Sequence, residues 1–153
     1  MSKKSGVVLL LFGILLAIGA LFFDFYDTGT MSFRGWDSLT WFFQNLVPYF
    51  DVVGQIGTVF QADFTTGLLI LFPLVFLPAI LFLLIGLKVR FFAFLGWVFL
   101  LVHPLEYLIK DVILATINGS PFGTVFGYLG IGFYLQFGAT LILIIGILLH
   151  KKE

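Results

Sequence analysis

Four polar or ionisable side chains share one apolar stretch of the sequence, residues 91–111. They are His103, Glu106, Tyr107 and Lys110. Their spacing of i, i+3, i+4 and i+7 places them on one face of an α-helix. Ionisable residues inside a membrane helix often line a proton relay or an ion pathway, and histidine titrates near neutral pH. The pattern therefore suggests a polar intramembrane site.

A simpler, structural interpretation of the same face is open. Glu106 and Lys110 lie in the favourable i to i+4 order for an ion pair and fall near the outer headgroups, where charges need little explanation. His103 would then be hydrogen-bonded across the bundle to Gln136 or to a loop carbonyl. Pro104 removes a helical donor and frees the carbonyl of Leu100 in the same layer. We favour this structural interpretation.

Other classes of chemistry lack their residues. The chain has no cysteine, which excludes disulfides, thiolate metal sites and covalent haem attachment, and its two histidines, His103 and His150, are far apart. The glycines of residues 127–132 lack the strand that gives a dinucleotide motif its meaning. We therefore expect no catalytic residue, no cofactor, no metal and no nucleic-acid partner.

The composition indicates that lipid is the solvent for most of the chain. Hydrophobic residues make up 61% and charged residues 10% of the 153 residues, against about 25% charged in soluble domains. The mean hydropathy is +1.15. A chain this short cannot hide so much apolar surface in a core. We expect a single integral membrane domain, residues 1–153.

Four apolar runs predict an all-α four-helix bundle. The predicted transmembrane helices are residues 6–23, 67–87, 91–111 and 128–149, each long enough to cross a roughly 30 Å hydrocarbon layer. The outer loops are residues 24–66 and 112–127. The first run could instead be a cleaved signal peptide ending near residue 19, but its apolar residues continue beyond that point. Pro73 and Pro78 predict a kink in the second helix.

The placement of the basic residues predicts the orientation. One side of the predicted bundle receives six of the eight basic residues, namely Lys3, Lys4, Lys88, Arg90, Lys151 and Lys152. Cytoplasmic segments of membrane proteins carry this excess of Lys and Arg. We therefore expect a multi-pass protein of the cell membrane with both termini cytoplasmic.

The first outer loop is rich in aromatic residues. A small β-hairpin is predicted around Thr28 and Gly29. Ser38 would cap a short amphipathic helix, which Pro48 would end. Its apolar positions are Leu39, Phe42, Phe43, Leu46 and Val47. Such a helix lies in the membrane interface or caps the bundle. Alternatively it forms a lid or a partner-binding surface, for which the candidate residues are Trp36, Trp41, Phe42 and Phe43.

The last predicted helix carries small residues at regular intervals. Gly130, Gly138 and Gly146 recur every eight residues and are candidates for close helix packing, since small residues let membrane helices approach. The turn before this helix contains Asn118-Gly119-Ser120, which matches a glycosylation acceptor but is more simply a turn.

The order of these parts resembles the claudin-like four-span architecture, with a long first outer loop, a short second one and both termini inside. Trp36 and Trp41 are reminiscent of the claudin loop, but its paired cysteines are missing, so the resemblance implies no junction-forming function. The chain is also similar to small uncharacterised prokaryotic four-span membrane proteins with Gly35-Trp36-Asp37 after the first span. That resemblance implies the architecture and no activity.

Three functions are compatible with this sequence. The first is a non-enzymatic accessory or assembly subunit, or a scaffold, which binds other membrane proteins or itself within the lipid bilayer. The alternative is a small oligomeric transporter or channel that uses the face of His103, Glu106 and Lys110. An intramembrane enzyme acting on a lipid ranks last, because the sequence offers no nucleophile or metal set.

Overall fold

The computed structural model describes residues 3–27, 29, 32–119, 121 and 123–150. This part of the chain is mostly helical, with a small two-stranded sheet near its start. The elements are α1 (Lys3–Ala20), β1 (Asp24–Asp27), β2 (Ser32–Arg34), α2 (Gly35–Gln44), α3 (Leu46–Gly54), α4 (Ile56–Ala62), α5 (Phe64–Gly86), α6 (Arg90–Ile117), a 3₁₀ helix (Val125–Tyr128) and α7 (Ile131–Leu149).

Three helices in the described residues are long and apolar enough to cross a membrane. They are Leu69–Gly86 within α5, then α6 and α7. The apolar part of α1, Ser5–Ala20, is shorter. The predicted mostly helical, membrane-type fold is therefore confirmed at this level. Some predictions fall on residues outside the described part, namely Thr28 of the hairpin turn, Ser120 of the glycosylation acceptor, and Lys151 and Lys152.

The predicted β-hairpin is confirmed, with slightly different bounds. β1 and β2 pair in antiparallel register, Asp24 with Arg34 and Asp27 with Ser32. The Asp27 carboxylate accepts a hydrogen bond of 2.7 Å from the backbone N–H of Gly29, whose positive φ of 80° suits a glycine. This local bond stabilises the start of the turn.

The short helix predicted to run from Ser38 to Val47 is wrong in its bounds. The helix α2 already begins at Gly35 and ends at Gln44, and α3 starts at Leu46. A proline removes one N–H, and its ring clashes with the carbonyl four residues earlier. Pro48 would therefore disrupt a helix continuing through Gln44. The chain instead restarts at Leu46, which puts Pro48 in a first turn, where that N–H is not needed.

The third predicted span is also too short, because α6 continues to Ile117 instead of ending at residue 111. The predicted loop of residues 112–127 shrinks accordingly. Asp111 did not end the helix because its carboxylate is satisfied: this buried side chain accepts a 2.8 Å hydrogen bond from the backbone N–H of Gly123. The mostly apolar residues that follow it then extend the helix as far as Ile117.

The start of α5 shows a side-chain cap. α5 begins at Phe64, three residues before the predicted start at residue 67. Asp63 precedes the helix, and its carboxylate accepts hydrogen bonds from the backbone N–H and from the hydroxyl of Thr66. An aspartate in this position satisfies N–H groups that the first turn leaves without partners.

The long helices pack as two close pairs. In the first pair, α1 lies against α7, and a Cβ at Gly6 would come within 2.7 Å of the backbone nitrogen of His150. In the second, α5 lies against α6, and a Cβ at Gly96 would come within 2.7 Å of the Ala79 carbonyl oxygen. Small residues permit this approach where burial from water provides no driving force.

One contact brings both pairs together at one end of the bundle. The His150 ring Nε2 lies 3.2 Å from the carbonyl oxygen of Leu87, in the turn between α5 and α6. The beginning of α1 lies beside His150. The start of α1, the end of α7 and the α5–α6 turn therefore share one end, and the hairpin and the helices α2–α4 lie at the other.

The three glycines singled out in the last helix make different contacts. A Cβ at Gly146 would lie 3.0 Å from the backbone nitrogen of Leu10 in α1. Gly138 has room, since its Cβ would meet only Leu16 Cδ2, at 4.0 Å. Gly130 precedes α7 and lies directly against the carbonyl oxygen of Asp24 in β1. The regular spacing thus does not correspond to a single helix–helix seam.

The substitution Gly130→Ala should destabilise the fold. The new methyl group would overlap the carbonyl oxygen of Asp24 and displace β1 from the bond that Gly130 N–H donates to Phe25 O at 3.0 Å. We expect a loss of about 1–3 kcal/mol in unfolding free energy in detergent. The control Gly138→Ala should be neutral or stabilising, because it gains up to about 1 kcal/mol in helix propensity. Equal losses in the two variants would contradict this account.

Candidate functional site

His103 lies inside the bundle, enclosed by aromatic rings. Its side chain is 2% exposed. The ring centroids of Phe72, Phe25, Tyr107 and Phe33 lie 4.8, 5.1, 5.1 and 6.1 Å from that of the imidazole. Phe25 and Phe33 come from the hairpin, so the hairpin covers His103 from the end of the bundle opposite His150. Phe33 pairs with Tyr26, and a register shift between Asp24 and Tyr26 interrupts the alternation of β1, so that Phe25 and Tyr26 are both buried.

Gln136 of α7 faces the same small space as His103. It is 1% exposed, and its side chain and that of His103 line one small space. Within the described residues, however, neither ring nitrogen and neither amide atom has a partner in good hydrogen-bond geometry. The space between them is too narrow for a water molecule. Its other walls are Phe72, Val75, Phe76, Phe99 and Leu100.

This arrangement is poorly suited to proton or ion transfer. A relay needs a continuous series of polar groups or waters, whereas the space around His103 is dry and lined by hydrocarbon and aromatic side chains. An unsatisfied buried polar group costs about 1–3 kcal/mol. The His103 and Gln136 pair is thus an energetic cost that the surrounding packing offsets.

Lys110 lies about two turns after His103 on α6, and its side chain is directed toward the hairpin. Its ammonium nitrogen lies 4.8 Å from the centroid of the Tyr26 ring, a cation–π distance. Tyr26 in turn stacks on Tyr107, with ring centroids 5.9 Å apart. Burial raises the pKa of Tyr26, and nearby Tyr128 and Asp63 raise it further. Tyr26 therefore remains a neutral ring beneath the lysine.

Glu106 forms no hydrogen bond or ion pair with His103 or with the Lys110 ammonium group. Its side chain is partly buried on α6, and its carboxylate forms no ion pair or hydrogen bond with any residue that the structure describes. The pairing with Lys110 that the spacing suggests is thus not formed. A charge at the centre of a bilayer costs about 2.5–3.5 kcal/mol on insertion scales, less toward its edge.

The predicted partner residues of the outer loop divide into two sets. Trp41 and Phe42 pack against Tyr49, with centroids 5.7 and 4.7 Å from its ring. Trp36 and Phe43 are instead 50% and 60% exposed. Three apolar neighbours on α3 are exposed with them. We call the exposed set the outer apolar surface: Trp36, Phe43, Leu46, Val47 and Phe50.

The sequence interpretation missed what attaches these outer helices to the bundle. Ser38, predicted as a helix cap, instead donates its hydroxyl hydrogen to the carbonyl oxygen of Leu69 at 2.8 Å. The Tyr49 hydroxyl donates to the next carbonyl, that of Ile70. Pro73 lies four residues after Leu69 and cannot supply the helical N–H. That spacing was the one signal that could have pointed to this contact.

The described residues contain no group of three or more His, Asp or Glu side chains that could hold a metal ion. Comparisons with protein-family models, with curated protein sequences and with solved structures give no match to this chain. The resemblance to claudin-like architecture stays a prediction.

The substitution Tyr49→Phe should loosen the outer helices. It keeps the buried ring but removes the hydroxyl hydrogen bond to the Ile70 carbonyl, and the net loss of one such bond is about 0.5–1.5 kcal/mol. Burial raises the pKa of Tyr49 to about 12, so the donor is present throughout the neutral range. We expect a lower unfolding free energy and faster amide hydrogen exchange in residues 35–62.

Thr40→Val is the matched control for Tyr49→Phe. The Thr40 hydroxyl is exposed and donates within its own helix, to the carbonyl of Trp36 at 2.9 Å. Surface changes of this kind stay within about 0.5 kcal/mol. If Tyr49→Phe matched Thr40→Val in both stability and exchange, the hydroxyl would not attach the outer helices.

Replacing both members of the dry polar pair should be tolerated. The double variant His103→Leu with Gln136→Leu removes two groups of unpartnered polar atoms at similar volume, so we expect its thermal stability in detergent to equal or exceed that of the native protein. His103→Ala should instead lose about 2–4 kcal/mol, because it opens a void among the aromatic rings. A double variant as unstable as His103→Ala would show that the polar pair stabilises the fold.

Proposed function

We propose that this protein is a non-enzymatic integral membrane protein that acts by association, as an accessory or assembly subunit or as a scaffold of a larger membrane complex. In this proposal α1 joins α5, α6 and α7 as a fourth transmembrane helix. Both termini are cytoplasmic, and the hairpin and α2–α4 face the outside of the cell membrane.

The arrangement of the ends supports this topology. The start of α1, the end of α7 and the α5–α6 turn lie together. The basic residues near these segments then share a side, as the positive-inside rule requires. α1 has 18 residues, a length of about 27 Å. With the apolar turn of residues 21–23 it approaches the roughly 30 Å of the hydrocarbon layer.

The closed interior supports association over transport. His103 was the residue in the predicted pathway closest to the middle of the membrane, and it is enclosed by four aromatic rings in a space without room for water. Lys110 is turned to Tyr26, and Glu106 is not part of the enclosed group. A channel or transporter along this face would need the hairpin to leave its place over His103.

The outer apolar surface carries the proposal. Its five side chains lie on α2 and α3, two of the short helices outside the long apolar ones. The most exposed of the five are Val47, Phe43 and Phe50, whose side chains are 77%, 60% and 58% exposed. Contiguous exposed aromatic and aliphatic residues mark interaction sites, and aromatic residues dominate the energetics of such contacts.

Native mass spectrometry after extraction in mild detergent or nanodiscs tests this proposal. We expect a reproducible heteromeric mass for the native protein. Trp36→Ser combined with Phe43→Ser should reduce the heteromeric fraction several-fold, because each interface anchor contributes more than about 1 kcal/mol. The fold should persist, since both side chains are largely exposed.

Ile131→Ser serves as the matched control. Ile131 is 64% exposed at the same end of the bundle, but it lies on α7 outside the outer apolar surface. It should leave the heteromeric fraction unchanged. A homo-oligomer would favour the transporter or channel alternative. A monomer without partners would refute association.

A further inference from the structure

One face of α6 is apolar, and its side chains are exposed in both the first and the last part of the helix. At about 100° per residue, the positions 91, 94, 98, 105, 109 and 112 fall within a sector of about 60°. These residues are Phe91, Phe94, Val98, Leu105, Ile109 and Val112, all at least 40% exposed. Ile113 and Ile117 continue the exposed apolar surface on one side of this sector. We call this set the α6 face.

The α6 face is longer than the hydrocarbon layer. From Phe91 to Ile117 it extends about 39 Å, whereas the apolar layer is about 30 Å thick. A helix tilted by the average of about 20° would still extend over about 37 Å. Lipid chains alone therefore do not cover the whole face, and its outer end would meet headgroups and water.

A groove lies in the outer half of this face. It has a volume of about 230 Å³ and is lined entirely by apolar side chains. These are Leu105, Leu108, Ile109, Val112 and Ile113. The groove is open at the surface and could take a bulky apolar side chain from a neighbouring helix.

Glu106 lies at the edge of the groove. Its helical position is about 20° from that of Ile113 and about 60° from that of Ile109. Both residues are exposed apolar neighbours that continue outward past it. The Glu106 carboxylate pairs with no other described residue. Carboxylates inside a membrane helix generally pair with a cation or mark a functional site, so a positive charge is missing beside this groove.

We infer that the α6 face, with Glu106 at its edge, binds a transmembrane helix of a different membrane protein. The recognised helix is apolar where it fills the groove and carries one Lys or Arg at the depth of Glu106. This inference rests on the proposed function, in which α6 spans the bilayer and the protein acts by association. It adds the chemistry of the partner and a second contact surface within the membrane.

A second copy of the chain fits this face less well. A two-fold parallel dimer formed through the α6 face would bring Glu106 close to its own copy, and like charges repel. The nearest base of the copy, Lys110, is engaged with its own Tyr26. Arg34 lies within 3.3 Å of two carboxylates, those of Asp24 and Asp37. A helix with its own unpaired base is the better complement.

Synthetic helices provide a defined probe. One peptide is a Leu/Ala transmembrane helix with a single Lys at the depth of Glu106, and its control has Leu at that position. Because the chain has no cysteine, Leu148→Cys allows one fluorescent label on α7, where Leu148 is 65% exposed and lies outside the α6 face. Energy transfer in nanodiscs should show the Lys peptide binding at least about tenfold tighter than the Leu peptide.

Glu106→Gln should abolish this preference, while Glu106→Asp should retain most of it. Ile109→Trp should weaken binding of the Lys peptide by filling the groove. Its matched control is Ile145→Trp on α7, because Ile109 and Ile145 are 53% and 50% exposed. Equal binding of the two peptides, or an unchanged preference in Glu106→Gln, would overturn the inference.

Native mass spectrometry of Glu106→Gln separates this inference from the proposed function. Loss of the heteromeric mass in this variant supports both. If the heteromeric mass survives in Glu106→Gln and the two peptides bind alike, the inference fails and the association proposal stands. A homodimer that dissociates in Glu106→Gln would identify a second copy as the occupant and overturn the inferred partner. A monomeric native protein refutes the proposed function itself.

Discussion

Backbone carbonyl groups in an apolar layer find no water, so each carbonyl that a proline deprives of its helical donor needs another donor. Pro73 creates this need for the carbonyl of Leu69, in the first half of α5. The hydroxyls of Ser38 and Tyr49 donate to the carbonyls of Leu69 and Ile70. These two bonds attach α2 and α3 to the long helices. The positions of α2, α3 and the hairpin that precedes them depend on this attachment.

The same attachment decides which aromatic residues are buried. With Ser38 and Tyr49 turned to α5, the opposite sides of α2 and α3 remain uncovered, and Phe43 and Val47 are exposed. The hairpin that precedes α2 is held over the bundle, with Phe25 and Phe33 inserted beside His103. The bonds from Ser38 and Tyr49 to α5 therefore both attach α2 and α3 and keep Phe25 and Phe33 over His103.

The interior and the surface of the bundle serve different purposes. Close contacts at glycines join α1 to α7 and α5 to α6. Aromatic and aliphatic side chains fill the space around His103 and Gln136, which is too narrow for water. Chemistry that requires solvent or a mobile ion is disfavoured there. Groups that could engage another molecule lie outside, at the outer apolar surface and at Glu106. This division is the physical basis for proposing association.

The amino-acid pattern determined the helical, membrane-type character, because three long apolar helices follow from composition and length alone. It also determined the hairpin, since Gly29 and the flanking strand-forming residues are a local signal. Helix ends depended on tertiary contacts: α6 passes Asp111 because Gly123, twelve residues away, donates to its carboxylate. The donor to the Leu69 carbonyl likewise comes from a residue remote in the sequence, Ser38, which lies 31 residues earlier.

Tertiary structure also divided the polar face of α6. Helical periodicity relates His103, Glu106 and Lys110 to the axis of their own helix, but it contains no information about what surrounds that axis. The hairpin covers His103, Tyr26 attracts Lys110, and neither reaches Glu106. The sequence by itself therefore determined which residues share a side of the helix. Only the packing of neighbouring elements decided which of them are enclosed and which remain available, because burial depends on what lies opposite.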